Sequence, residues 1–328
     1  MKTPRRILIS PLDWGLGHAS RIIPLINRLL EQGDNVIIAG SGLSLNLLQQ
    51  HFPQLKSIEI PSFKMKYSAG KSQVWAVIKA FPKLIYYSIK EHQALKRIVE
   101  EENIDFIISD NRFGLYHKSV PSAYITHQLM IKLPKGYAFM EPMVAYFHRC
   151  IINKFTECWV PDFEDCQYSL AGELSHPAKL PKNVKYIGVL SRFSKRREET
   201  FLMTNGNKGE RRNCIAILSG AESQRTIFEN ELLTSLQNNP SENIILVQGR
   251  IEAEQKVSKV GKVTVYNYMS TEQLQEHILK ADEIICRSGY SSIMDLYALG
   301  KLKNATLIPT PGQSEQEYLA EYISNHIK

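Results

Sequence analysis

Residues 7–21 read Ile-Leu-Ile-Ser-Pro-Leu-Asp-Trp-Gly-Leu-Gly-His-Ala-Ser-Arg. A short apolar run of strand length ends in a turn holding Gly15 and Gly17, and an amphipathic stretch, Ile22–Glu31, follows. Strand, glycine turn and helix in that order open a parallel α/β unit, because the helix carries the chain back across the sheet to start the next parallel strand. The same alternation continues outward from this stretch. In the first half Ile7–Ser10, Asn35–Ala39, Ser57–Ile60, Ile104–Ser109 and Ser122–Thr126 read as buried parallel strands. In the second half Cys214–Leu218, Asn243–Val247, Lys262–Val265, Glu283–Cys286 and Ala305–Ile308 read the same way. Helical patterns lie between them, among them Trp75–Glu102, Ile227–Gln237 and Glu315–His326. The expected fold class is α/β, with two doubly wound parallel-sheet, Rossmann-like domains.

Between the two series Ser191–Asn213 turns polar and charged, which reads as a solvated linker. The expected division is 1–187 for the first domain, 188–212 for hinge and linker, and 213–328 for the second domain. At 328 residues the chain can bury a large core without disulfides or metals. With 43% hydrophobic and 22% charged residues, collagen, disorder and small disulfide scaffolds are excluded. The five cysteines form no C-x-x-C pair, so reduced thiols are expected rather than a zinc site. No apolar run reaches the ~20 residues that span a bilayer, and Ile7–Ser10 is too short for a signal sequence. A cytoplasmic protein is expected, touching the inner face of the membrane at most.

The net charge is +7, and Lys64–Arg97 alone carries +7, with eight cations against Glu91. Charge so concentrated points to an anionic surface or substrate, and not to a uniformly basic nucleic-acid binder. Aromatic residues share that stretch (Tyr67, Trp75, Phe81, Tyr86, Tyr87) and recur in Lys132–Lys154 (Tyr137, Phe139, Tyr146, Phe147). Cationic and aromatic residues together suit a lipid headgroup layer; the alternative is helix core beneath a solvated lysine face.

Chemistry-bearing residues gather just past strand ends, where ligands bind in open α/β sheets. Gly15 and Gly17 let backbone approach a ligand, and His18 sits in the same turn, although the series does not complete a G-x-G-x-x-G. Asp110 ends the run Ile107-Ile-Ser-Asp and can orient an imidazole from the neighbouring loop, or else cap a following helix. His127 and Gln128 follow another strand and read as substrate contacts. In the second half Ser219, Gly220, Glu222 and Ser223 lie between strand and helix, a construction that suits a diphosphate or a plain turn with a serine cap. Arg287-Ser288-Gly289-Tyr290-Ser291-Ser292-Ile293-Met294-Asp295 is the most specific motif, with small residues at a helix start and a carboxylate one turn on. That carboxylate suits the two hydroxyls of a ribose, while the serines and amides suit phosphates.

Gly-Leu-Gly-His-x-x-Arg at the start and Arg-Ser-Gly-x-x-Ser-x-x-Asp late in the chain resemble the signature of GT-B-fold glycosyltransferases. The chain is similar to the UDP-sugar transferases that include the peptidoglycan N-acetylglucosaminyltransferase and the UDP-glucuronosyltransferases. It departs from them at Leu302, where Gly300-Lys301 would be followed by proline, and at Ala221 and Ser223 in the Gly-Gly-Ser-x-Gly turn. It also ends twelve residues after Gln316, where the family continues, which implies a shortened second domain.

The resemblance implies two domains facing across a cleft and an inverting transfer from a nucleotide diphosphate sugar, UDP-linked, to a hydroxyl acceptor, with a lipid or lipid-linked acceptor among the candidates. It implies His18 as general base and Asp110 as its partner, and Gly15, Gly17, His127 and Gln128 on the acceptor side. The implied donor set is Gly188, Ser219, Gly220, Glu222, Arg287, Ser288, Gly289, Ser291, Ser292, Asp295, Gln316 and Glu317. No cofactor is expected. With no Asp-x-Asp motif, helix N-termini would stabilise the leaving diphosphate without metal. A nucleotide-sugar hydrolase and a non-catalytic nucleotide-sugar-binding protein are the alternatives; an epimerase would need a further acid/base cluster.

Overall fold

The computed structural model describes residues 3–63, 73–193, 212–220, 222–250, 252 and 254–327, without the side chains of 73–81 and 135. The expected sites Lys64, Lys66, Lys71, Tyr67 and Ala221, the side chains of Trp75, Lys79 and Phe81, and the linker interior 194–211 lie outside these described residues. The chain divides into two compact units, Met1–Leu190 and Ser191–Lys328.

The first unit runs β1 (Arg6–Pro11), α1 (Leu16–Glu31), β2 (Asn35–Gly40), α2 (Gly42–His51), β3 (Ser57–Glu59), α3 (Gln73–Glu102), β4 (Phe106–Asp110), β5 (Ser122–Ile125), α4 (Glu141–Ile152), β6 (Glu157–Val160) and β7 (Val184–Tyr186). Its seven strands are parallel, in the order β3-β2-β1-β4-β5-β6-β7. Alternate residues of β1 and β2 enter different cores. Ile7, Ile9, Val36 and Ile38 pack with α1 and α2, whereas Leu8 and Ile37 pack with Leu95 and Ile98 of α3. Tyr124, Cys158 and Val160 form a further core with Ile152 of α4. The register carries the face of Leu8 through Ile107 and Ser109 to Tyr124 and Cys158, so α3 and α4 lie on one side of the sheet and α1 and α2 on the other. β3 departs from the expected buried strand. It sits at the sheet edge and is half-exposed, since only β2 covers it.

The second unit runs β8 (Asn213–Ile217), α5 (Gln224–Leu236), β9 (Asn243–Val247), β10 (Val257–Val260), β11 (Val263–Tyr266), α6 (Thr271–Lys280), β12 (Glu283–Arg287), α7 (Tyr290–Ala298), β13 (Ala305–Ile308) and α8 (Ser314–His326). The order is β10-β11-β9-β8-β12-β13, parallel except for β10, which pairs antiparallel with β11 through a turn at Gly261. β10 is exposed throughout, which is why no buried apolar run announces it.

Each sheet reverses its winding once. From β1 the chain moves outward through β2 to β3 and then returns to place β4 on the other flank of β1. From β8 it moves through β9 and places β12 on the other flank of β8. Crevices for ligands open at the carboxyl ends of such strand pairs, because the two following connections leave on opposite faces.

Candidate active site

In the first unit the reversal brings together β1 and β4, with Pro11 level with Asp110. Gly15 caps the start of α1 at φ 142°, a left-handed conformation that favours glycine. The tight entry puts His18 in the first turn of α1, over the end of β4. Its Nδ1 lies 3.0 Å from Oδ1 of Asp110, which is fully buried, while the His18 side chain keeps 20% of its surface. The capping alternative for Asp110 is not realised, since turns follow β4 and the carboxylate is taken by His18 and Arg21.

Arg21 lies one turn beyond His18 on the same face of α1. Its Nε donates to Asp110 Oδ2 at 2.7 Å and its Nη2 donates to Oδ1, a bidentate pair in which both side chains are buried. Burial raises the Asp110 carboxyl, but the charges of Arg21 and His18 outweigh it and hold the group down at about 2. The carboxylate is therefore ionised and can only accept, so His18 donates its Nδ1–H across the His18–Asp110 contact. Arg21 stands in the expected motif, yet residue spacing alone gives it no role; only the register of β1 against β4 places it on Asp110.

Behind this pair a second ion pair fixes the loop after β4. Buried Arg112 meets Glu91 of α3 at 3.0 Å and donates to the carbonyls of Pro61 and Pro11, while Ser109 Oγ donates to the Arg112 carbonyl. Burial pushes Glu91 up against the pull of Arg112. His127 is buried two residues past β5, the neighbour of β4, and the Gln128 amide donates to Thr126 Oγ1. Gly17, His127 and Gln128 thus share the strand edge that holds His18 and Asp110.

In the second unit the expected donor residues follow three adjacent strands, β8, β12 and β13. Gly220, at φ 99°, and Gly289, the residue before α7, have open space where a Cβ would stand. Ser291 and Ser292 form the first turn of α7. Ser223 makes no side-chain cap to α5, so the serine-cap alternative fails there. Asp295 accepts a hydrogen bond from Ser191 Oγ at 2.6 Å and stands 3.5 Å from Arg192 Nε. Burial pushes its carboxyl up despite both partners.

Other donor candidates are committed to the unit itself. The Arg287 guanidinium lies 3.6 Å over the Phe228 ring and donates to the Pro309 carbonyl, and Ser288 Oγ donates to the Gln316 carbonyl. Gln316 and Glu317 accept from the amides of Thr310 and Gly312, bracing the loop after β13. Glu222 pairs with Arg225 and Thr226. Gly188 lies in the first unit, where its amide donates to the Asp162 carbonyl.

Both units are doubly wound α/β folds with polar residues gathered at the winding reversals, where such folds bind ligands. Residues 215–328 match the glycosyltransferase family 28 C-terminal domain. Over 97% of its length the chain is 24% identical to an uncharacterized glycosyltransferase of Methanosarcina acetivorans, covering 83% of that protein. It is 22% identical over 98% of its length to the UDP-N-acetylglucosamine–N-acetylmuramyl-(pentapeptide) pyrophosphoryl-undecaprenol N-acetylglucosamine transferase of a Sulfurihydrogenibium species, covering 83% of it. The crystal structure of the kitacinnamycin glycotransferase superposes with a TM-score of 0.56 at 15% identity, covering 99% of this chain and 96% of that one. The second unit thus carries a glycosyltransferase family 28 C-terminal domain, and the chain as a whole has the GT-B fold.

Proposed function

We propose that the protein transfers a sugar, with inversion and without a metal, from a nucleotide diphosphate sugar to the hydroxyl of a lipid-linked acceptor. The observation that carries this reading is the His18–Asp110 pair, a buried ionised carboxylate 3.0 Å from an imidazole that keeps part of its surface. As the acceptor oxygen attacks the anomeric carbon, Nε2 of His18 takes its proton and the bond to the diphosphate oxygen breaks. The resulting imidazolium keeps its Nδ1–H on Asp110. General base catalysis of this kind supplies about 10²–10⁴-fold in rate.

The departing diphosphate gains negative charge, which helix N-termini and backbone amides stabilise. The open glycines at Gly220 and Gly289 and the first turn of α7 support such a role. Asp295 would exchange the Ser191 hydroxyl for ribose hydroxyls, leaving Arg192 beside it as a cation for the diphosphate. UDP is favoured because the relative from Sulfurihydrogenibium carries that nucleotide in its name, and the same name includes an undecaprenol-linked acceptor.

Exposed side chains support a membrane-bound acceptor. Ile85, Tyr86 and Ile89 of α3 are exposed, as are Met143, Tyr146 and Phe147 of α4 and Phe139 just before it, the last at 80%. Those two helices share one side of the sheet, and Lys90 and Arg149 lie over Tyr86 and Tyr146. The helix-core alternative does not hold for these aromatics. Among the described residues no helix is long and apolar enough to cross a membrane. Surface attachment through both helices is the arrangement that aromatic and cationic residues favour.

The test is a thermal-shift panel of nucleotides and nucleotide sugars, followed by transfer assays with the stabilising donor. Binding to the folded state raises stability by mass action. His18→Ala should lower turnover by the factor above and leave the donor-induced shift intact. Wild-type rates in His18→Ala, or release of free sugar at full rate without acceptor, would defeat the reading.

A further inference from the structure

A buried carboxylate beside an imidazole ordinarily draws a proton onto the ring, since the ion pair relieves the cost of burying the charge. A ring protonated at rest has no lone pair on Nε2 and cannot act as a base. In this protein the compensating charge is already present. Arg21 Nε and Nη2 occupy both oxygens of Asp110, and Nη2 stands 3.0 Å from Nδ1 of His18. Because Nδ1 and Nη2 are both donors, that close approach is two donors sharing Oδ1, and a second positive charge on the ring would face the first at contact distance.

The neighbouring charged groups have partners of their own. Arg21 exerts the strongest charge on the Asp110 carboxylate, and the hydrogen bond from His18 adds to it. Asp13, in the loop before α1, accepts from the Ser44 amide at the start of α2. Arg112, after β4, is paired with Glu91 of α3. Tyr124 of β5 is buried and its phenol is pushed up, so it stays neutral.

We propose that Arg21 is a positioning residue that keeps the His18 ring uncharged at rest, by neutralising Asp110 while leaving Oδ1 to hold the Nδ1–H. Asp110 then fixes the tautomer without charging the ring, and Nε2 remains available to the acceptor hydroxyl. The inference rests on the transferase reading for its purpose, but the charge balance itself exists without substrate.

NMR titration of the imidazole resonances in the full chain, with His18 assigned by difference against His18→Gln, tests it directly. In Arg21→Met the unneutralised carboxylate should move the protonation midpoint of the His18 ring upward by about one pH unit or more. The acid limb of kcat/KM should follow it. Arg21→Lys, which restores a charge, should return both toward wild type. If Arg21→Met does not accumulate as folded protein, Asp110→Asn carries the test with the opposite sign, since the Arg21 charge then acts on the ring without the carboxylate between them and the midpoint must fall. A ring whose midpoint stays put in the folded variant overturns the inference. Because the titration needs no substrate, a shifted midpoint with no transfer would fault only the transferase reading. A fixed midpoint with His18→Ala still inactive would fault only the role of Arg21.

Discussion

Replacing Asp110 by alanine should destabilise the first unit by about 3–5 kcal/mol, the cost of breaking a buried ion pair from one side. Two features of the structure set that magnitude. Arg21 and Asp110 have almost no exposed side-chain surface, so water cannot replace the lost carboxylate. The lowering of Asp110 from 3.8 to about 2 is a separate measure. At ~1.36 kcal/mol per pH unit it corresponds to roughly 2 kcal/mol of net preference for the ionised form in the folded chain. That figure is smaller because it already includes the cost of burying the carboxylate. Removing both charges in Arg21→Met/Asp110→Ala should recover part of the loss, since no orphaned charge remains, and the two substitutions should be coupled by more than ~1 kcal/mol. Urea unfolding followed by tryptophan fluorescence is the suitable assay, because Trp14, Trp75 and Trp159 all fall in the first unit and report on it selectively. An Asp110→Ala cost below ~1 kcal/mol, or additive single and double variants, would refute the argument that the guanidinium is buried and neutralised by this carboxylate.

The Asp110 carboxyl titrates lower in the folded chain than its ordinary 3.8, so its contribution is fully present above about 4. It is lost as pH falls toward about 2, and the stability advantage of wild type over Asp110→Asn should shrink across that window in acid unfolding curves. Asp295→Ala should weaken nucleotide binding by ~1–3 kcal/mol in calorimetry while leaving the His18-dependent chemistry in place; unchanged affinity would remove Asp295 from the donor site. Iodoacetamide should label exposed Cys150 and Cys166 and spare Cys158, Cys214 and Cys286, whose thiols are buried and pushed up to about 12, as peptide mass mapping would record. Gly114→Ala should destabilise the first unit in the same urea assay, because a Cβ there would run into the Ser88 backbone carbonyl and the Glu91 side chain.

Strands buried on both faces were the easiest elements to read. Ile7–Ser10 and Asn35–Ala39 lie within β1 and β2, every residue of which after the first is buried. Elements that bury little surface left weaker marks. β10 is exposed along its whole length, and β7 has only three residues. α6 announces itself by a capping box between Ser270 and Gln273, a polar signal that an eye following apolar periodicity passes over. The exposed aromatics of α3 and α4 show the same limit from the other side. Periodicity cannot tell whether Tyr86 or Phe147 faces a core, because that depends on which neighbours occupy the sheet face.

Sequence alone determined the two-series α/β architecture and the positions of His18, Asp110 and the Gly289 turn at strand ends, since strand burial, helix periodicity and glycine turns are local properties of the chain. Tertiary structure decided what those residues touch. Arg21 reaches Asp110 across 89 positions because β4 returns beside β1, and Asp295 meets Ser191 across 104 because the chain entering the second unit runs past α7. Charge balance at a site is a sum over neighbours in space, and no spacing along the chain encodes which neighbours strand order will supply.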